Sequence, residues 1–115
     1  MKKLIFLFLF ATVLMTTTEA QIIKTSLILT VIDDLGNSVE GATVMIFEKE
    51  ADYLAEKNPA AEGKTDAKGI VKFKDLKAIA YYVLARKGDK NNAGGGEQTG
   101  KLEEHKFNKA RIVIQ

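Results

Sequence analysis

The stretch "GKTDAKGIVKFKDL", Gly63 to Leu76, sets polar punctuation beside alternating apolar and charged residues. Its first half reads as a chain reversal. Asp66 and Gly69 stand at the first and last positions of the four residues "DAKG". Aspartate favours the first position because its carboxylate accepts a hydrogen bond from backbone two residues on, and glycine favours the last. "IVKFK" then alternates with period two, which turns Val71 and Phe73 inward and Ile70, Lys72 and Lys74 outward. A calcium site would need several oxygen ligands close together. Asp66 has only Glu62 as a carboxylate neighbour within reach in sequence, without calcium-loop spacing. So "TDAKG" reads as the turn that starts a strand, not as a metal site.

The same grammar extends in both directions. "TSLILTVID" is short, β-branched and apolar on both faces, as an inner strand would be. "DLGN" follows as a turn, and "GATVMIFE" is the next strand, with Ala42, Val44 and Ile46 on one face and Thr43, Met45 and Phe47 on the other. "KEADYLAEKNPAA" breaks the pattern: Ala51, Leu54 and Ala55 have helical spacing, and Asn58-Pro59 is a stop signal. A short helical turn inside a long crossing connection is expected there. Beyond the opening stretch, "AYYVLARKG" puts Tyr81, Val83 and Ala85 inward and Tyr82, Leu84 and Arg86 outward. "DKNNAGGGEQTG" is a loop by composition. "GKLEE" is a candidate short edge strand, and "KARIVIQ" closes the chain with Ala110, Ile112 and Ile114 on one face. Short strands punctuated by turns, with almost no helix, give an all-β class: an antiparallel two-sheet sandwich of about seven strands.

The N-terminus belongs to a different category. "MKK", the apolar run "LIFLFLFATVLM" and the small residues Thr18 and Ala20 form the three-part pattern of a secretory signal peptide. The run is too short to span a bilayer comfortably. Residues 1–20 are therefore expected to be cut off after Ala20, leaving a single β-sandwich domain over residues 21–115 that is exported to a periplasm or the medium. No membrane insertion is expected after the cut. There is no cysteine, so stability must rest on packing despite export. Two lysines and one glutamate leave with the signal, so the formal charge of +2 becomes +1. Acid and base are interspersed along the chain, and nucleic acid is not an expected partner.

"LILTVIDDLGNSVEGATVMIFE", "GKTDAKGIVKFKDL" and "AYYVLARKG" together resemble the carboxypeptidase-regulatory-like, or transthyretin-like (prealbumin-like), β-sandwich domains of exported bacterial proteins. The resemblance covers nearly all the mature chain. It implies an immunoglobulin-like sandwich serving as an accessory, adhesive or structural module; fold alone assigns no activity. Collagen-adhesin B-type repeats are similar and often carry an internal Lys–Asn isopeptide bond. Here Val31 stands in their lysine position and Ala85 where their helper glutamate is sought, so no such bond is expected from Asn108 or Lys24. The transthyretin-like hydrolases that open a ureide ring need several histidines and a C-terminal "YRGS"; this chain has one histidine, His105, and ends "RIVIQ".

No residue set for catalysis, cofactor or metal stands out. His105 in "EEHKFN" lacks an orienting partner in sequence, and "GGGEQTGK" lacks the Ser/Thr and strand-to-helix setting of a phosphate loop. The feature that exceeds scattered exposure is apolar content on outward faces: Ile28, Ile32, Met45, Phe47, Tyr82 and Leu84. Either "EADYLAEK" folds over them, with Tyr53 and Leu54 as cover, or they form an interaction patch. The expected function is a non-enzymatic exported module that binds a protein or glycan at the bacterial cell envelope. The alternative is a small periplasmic enzyme with a dispersed site. A deep pocket converging on His105, Asp33 or Asp66 would favour the enzyme, and a flat apolar patch or open strand edge the module.

Overall fold

The computed structural model describes residues 23–115; the expected signal segment, residues 1–20, lies outside them. Seven strands and one helix follow in the order β1 (Ser26–Asp33), β2 (Thr43–Phe47), α1 (Glu50–Ala55), β3 (Ala61–Lys64), β4 (Ile70–Phe73), β5 (Tyr82–Lys87), β6 (Lys90–Asn91) and β7 (Phe107–Ile114). They form a sandwich of two sheets, one ordered β4-β1-β7 and the other β3-β2-β5-β6. All pairings are antiparallel but one: β1 and β7 run parallel. A parallel pair needs a long crossover, and here the rest of the domain supplies it.

The inward faces are those the alternation predicts. Leu27, Leu29 and Val31 of β1 meet Val44 and Ile46 of β2 and Ala42 just before it, with Val71, Phe73, Tyr81, Val83, Ala85, Leu102, Ile112 and Ile114 completing one core. Ala110 packs against it half-buried. The expected edge strand in "GKLEE" is not one. Leu102 is instead a core plug, and the Glu103 N–H donates to the Asn108 side chain at 2.9 Å rather than to a ladder. Two strands that composition concealed are short: β3, and β6 inside the segment read as loop. Asn92 beside β6 is buried and substitutes for a strand, accepting from the Ala85 N–H at 2.8 Å and donating to the Val83 carbonyl at 2.9 Å.

The opening stretch is a turn, and it carries the chain from one sheet to the other. Asp66 Oδ1 accepts from the N–H groups of Lys68 (2.8 Å) and Ile70 (3.0 Å), while the Gly69 N–H donates to the Asp66 carbonyl at 2.9 Å. Asp33 builds the same turn between β1 and β2: its Oδ1 accepts from Leu35 (3.0 Å) and Asn37 (2.9 Å), and the Gly36 N–H donates to its carbonyl at 3.0 Å. Both glycines have positive φ, +77° at Gly69 and +88° at Gly36, the type I turn plus left-handed glycine of a three-residue loop. The two corners are tied together. The Thr65 hydroxyl donates to the Val39 carbonyl at 2.6 Å and accepts from the Ala42 N–H at 2.9 Å.

These turns have a pH signature. The Ile70 and Lys68 N–H groups hold the Asp66 carboxyl below its ordinary value, and the Asn37 N–H, aided by that of Leu35, does the same for Asp33. A carboxyl with a lowered folded pKa adds stability above its unfolded pKa, about 4, and loses it as pH falls through the folded value. Stability should therefore decline below about pH 4, and Asp66→Asn, which keeps an acceptor oxygen but cannot titrate, should flatten that decline. Denaturation midpoints measured from neutral pH downward test this; identical acid profiles for the variant and the wild type would remove Asp66 from the account.

Candidate functional site

The six outward apolar residues do not share a surface. Ile28 and Ile32 lie on the outer face of β4-β1-β7, whereas Met45, Phe47, Tyr82 and Leu84 lie on the opposite side of the sandwich, outside β3-β2-β5-β6. Strand alternation shows which residues point away from the core, but not which sheet a strand joins.

On the four-stranded side the patch is closed. Helix α1 lays Tyr53 over it, edge-on to Phe47 (centroids 6.0 Å apart) and stacked on Tyr82 (5.6 Å). Phe47 and Leu84 are 0% and 1% exposed, and Met45 and Tyr82 pack half-buried around them. Tyr53 does the covering without Leu54, which is 62% exposed. The Tyr53 hydroxyl donates to the Asn92 carbonyl at 3.2 Å and accepts from the Gly96 N–H at 3.0 Å, so the glycine-rich segment is tied to the helix. Arg86 clamps the helix end by a two-pronged bond to Glu56, 3.0 and 3.1 Å. This pair holds the Glu56 carboxyl low and the Arg86 guanidinium high. Glu56 caps α1 in the left-handed region, and the chain then reaches Asn58-Pro59, where continuation is barred.

On the three-stranded side the outer face is open, and its chemistry differs. Lys72 of β4 and Lys109 of β7 both lie opposite Ile28 of β1, and Arg111 lies opposite Thr30. Lys74 follows one outward position beyond Lys72. These four cations are exposed, and none is in an ion pair among the described residues. The outward positions of β1, β4 and β7 on this face carry no carboxylate. Charges interspersed along the chain are thus segregated in space. Ile23, Ile28 and Phe107 form the floor and one end of a shallow, open depression that His105 also borders. The Lys72 ammonium sits 4.8 Å from the centroid of the Phe107 ring. Periodicity missed this set because its members come from three strands far apart in sequence; the signals were "KFK" and "KAR", each placing two cations on one side of a strand.

Neither the turns nor His105 assemble a reactive centre. The carboxylates of Asp33 and Asp66 are occupied by their own turns. His105 Nδ1 lies 3.0 Å from the Ile23 carbonyl, and its ring is exposed. Among the described residues no three His, Cys, Asp or Glu side chains are placed to hold a metal ion.

No protein-family model matches the chain, and no curated protein matches it. Solved structures do. The chain is similar to the pilus 2b backbone protein of group B streptococcus, with a TM-score of 0.59 and 16% identity over 79% of this chain and 40% of that one. It is similar to BcpA, the major pilin subunit of Bacillus cereus, with a TM-score of 0.51 and 17% identity over 81% of this chain and 30% of that one. The fold shared with these two structures is a two-sheet β-sandwich. This chain spans two fifths or less of either pilin. A 5-hydroxyisourate hydrolase of Klebsiella pneumoniae aligns over 83% of this chain and 91% of its own, at a TM-score of 0.47 and 19% identity.

In this sandwich the positions compared with the isopeptide-forming repeats are apolar core: Val31 and Ala85 are buried. The Asn108 amide donates to the Ser26 carbonyl at 3.0 Å, and exposed Lys24 lies 3.7 Å from Asp75. The chain should therefore show no Lys–Asn cross-link. Intact mass and peptide mapping check this, with mapping needed because a chain cut to begin at Gln21 would also lose ammonia as pyroglutamate. A peptide joining Lys24 to Asn108 would overturn the expectation.

Proposed function

We propose that this protein is an exported, non-enzymatic β-sandwich module that binds a macromolecule at the bacterial cell envelope. The observation that carries the reading is the contrast between the two outer faces. One is sealed by α1; the other is open, cationic and unpaired among the described residues. Like charges gathered on one open face repel one another, and a partner of opposite sign relieves that repulsion. The signal-peptide pattern and a sandwich shared with two pilus proteins support an envelope setting. The depression beside His105 is open rather than deep, and the carboxyls held low, those of Asp33, Asp66 and Glu56, are held so by turns or an ion pair, which favours a module over an enzyme.

The test is cosedimentation of residues 21–115 with purified bacterial envelopes. The wild-type chain should pellet with them. Lys72→Glu combined with Lys109→Glu should release it, whereas Leu54→Glu, on the helix side, should not. A chain that stays in solution would refute envelope binding, and loss through Leu54→Glu alone would move the surface to the other face.

A further inference from the structure

The open face has a shape as well as a charge. Neighbouring strands lie roughly 5 Å apart, so Lys72 and Lys109, two strands apart across Ile28, have backbones roughly 10 Å apart. Along each strand the next outward residue is roughly 7 Å on, but β4 and β7 run in opposite directions, so Lys74 extends toward the Ser26 end of β1 and Arg111 toward Thr30, and the four cations form a diagonal across the sheet. Between the two borders runs the outer face of β1: Ile28 has a lysine on each side, Thr30 has Arg111 on one side and Ile70 on the other, and Ile32 lies beyond the β4 pairing beside Val113. The result is a shallow trough with a mostly apolar floor and staggered cations on its borders, with exposed Phe107 and Val113 at the two ends of the β7 side. Lysine and arginine stems line the borders, and at the Ser26 end the Lys72 ammonium and the Phe107 ring meet across β1.

We propose that this trough binds a linear acidic glycan. The inference rests on the envelope-binding reading above and names its partner class. Carboxylates or phosphates along the polymer meet Lys72 and Lys74 on one side and Lys109 and Arg111 on the other, while sugar ring faces lie on Ile28. The absence of a carboxylate at the outward positions of these strands removes the internal competitor for those cations. Lys72 is also positioned before binding, because its ammonium rests over the Phe107 ring.

Geometry selects this partner over other anions. A lipid surface is bound by apolar residues that project past the charges into the acyl boundary. Here the exposed apolar residues of β7, Phe107 and Val113, stand at opposite ends of the strand with Lys109 and Arg111 between them, so they form no continuous apolar edge for insertion. Single-stranded nucleic acid is held by aromatic platforms on which bases stack. Phe107 is the aromatic residue on this face, 49% exposed, and the Lys72 ammonium occupies its ring. A narrow, flexible polyanion needs neither insertion nor stacking.

The experiment uses residues 21–115 and four probes: polygalacturonate, neutral dextran of matched length, phosphatidylglycerol-containing vesicles and a single-stranded oligonucleotide. Polygalacturonate should bind, and added salt should weaken it. Dextran should not bind, and vesicles and oligonucleotide should bind more weakly. Lys109→Glu and Arg111→Glu should each weaken polygalacturonate binding by roughly tenfold or more, as for a reversed charge at a complementary surface. Lys57→Glu, an exposed charge at the end of the helix connection, should leave it unchanged. Lys72→Gln combined with Lys109→Gln removes the charge without reversing it and should keep the wild-type melting temperature while losing binding. The proposal is overturned if polygalacturonate fails to bind, if Lys57→Glu weakens it equally, or if vesicles or oligonucleotide bind more tightly. Envelope cosedimentation that survives Lys109→Glu would leave the module reading standing and remove the acidic glycan. Polygalacturonate binding without envelope cosedimentation would do the reverse.

Discussion

Tyr53→Ala should destabilise the domain by about 3–5 kcal/mol, the range for deleting a large buried aromatic side chain. Tyr53 is 2% exposed, although it sits on a helix of six residues that has little stability of its own. The helix holds its place through that ring, which contacts Phe47 and Tyr82, and through the hydroxyl, which bridges Asn92 and Gly96. Removing the ring uncovers Phe47 and Leu84 and frees the glycine-rich segment together. Tyr53→Phe should cost about 1 kcal/mol, since it keeps the packing and leaves the Gly96 N–H without its acceptor. Leu54→Ala should stay within about 0.5 kcal/mol of wild type, as exposed positions usually do. Chemical denaturation of the three variants measures this. If Tyr53→Ala cost no more than Leu54→Ala, α1 would be an ornament rather than a cover, and the apolar patch beneath it would be open for binding.

This hierarchy was half legible in the sequence. Outward apolar residues at Phe47 and Leu84 demand an explanation, and "EADYLAEK" is the nearby segment with the right composition to supply it. Which of its side chains does the covering depends on the helix phase, and a helix this short offers less than two full turns from which to read a phase. Inward faces were readable because period-two alternation is local. Sheet membership was not, because it depends on which strands pair across long sequence separations, and that is why Ile28 and Phe47 look equivalent in sequence but lie on opposite surfaces. β3 and β6 escaped for a different reason. "AEGK" and "KN" carry no β-branched or aromatic residues, and their strand geometry is imposed by the neighbours they pair with. The cationic trough is a product of the same pairing: its two borders face each other across β1, which lies between β4 and β7.

Gly69→Val should cost about 3 kcal/mol or more, from a left-handed backbone penalty of about 1–2 kcal/mol and an overpacking penalty of about 1–3 kcal/mol. Sequence alone gives the first of these, since glycine in a tight turn implies positive φ, and it ranks Phe73→Ala, at about 3–5 kcal/mol, well above. The structure adds the second. A Cβ at position 69 would lie 2.7 Å from the Val31 carbonyl oxygen and 3.2 Å from both the Ser38 Cβ and the Val39 nitrogen. The Val31 oxygen cannot easily retreat, because it accepts from the Val39 N–H at 3.0 Å, and the Gly69 carbonyl itself accepts from the Val31 N–H at 2.8 Å. The corner beside Gly69 is thus docked directly against the backbone of β1 and of the loop after it. Gly36 supplies the control within the same molecule. It occupies the same place in the same kind of turn, at φ +88°, with nothing within 4 Å of its would-be Cβ. Gly36→Ala should therefore cost only the backbone term, about 1–2 kcal/mol. Gly69→Ala should exceed it by about 1 kcal/mol or more, because a single methyl group already meets the carbonyl. Calcium or EDTA should leave every one of these values unchanged, since Asp66 spends its carboxylate on the turn. Equal losses for the two alanine variants would mean that the docked corner relaxes freely. A calcium-dependent rise in wild-type stability that disappears in Asp66→Ala would mean that "TDAKG" holds a metal after all.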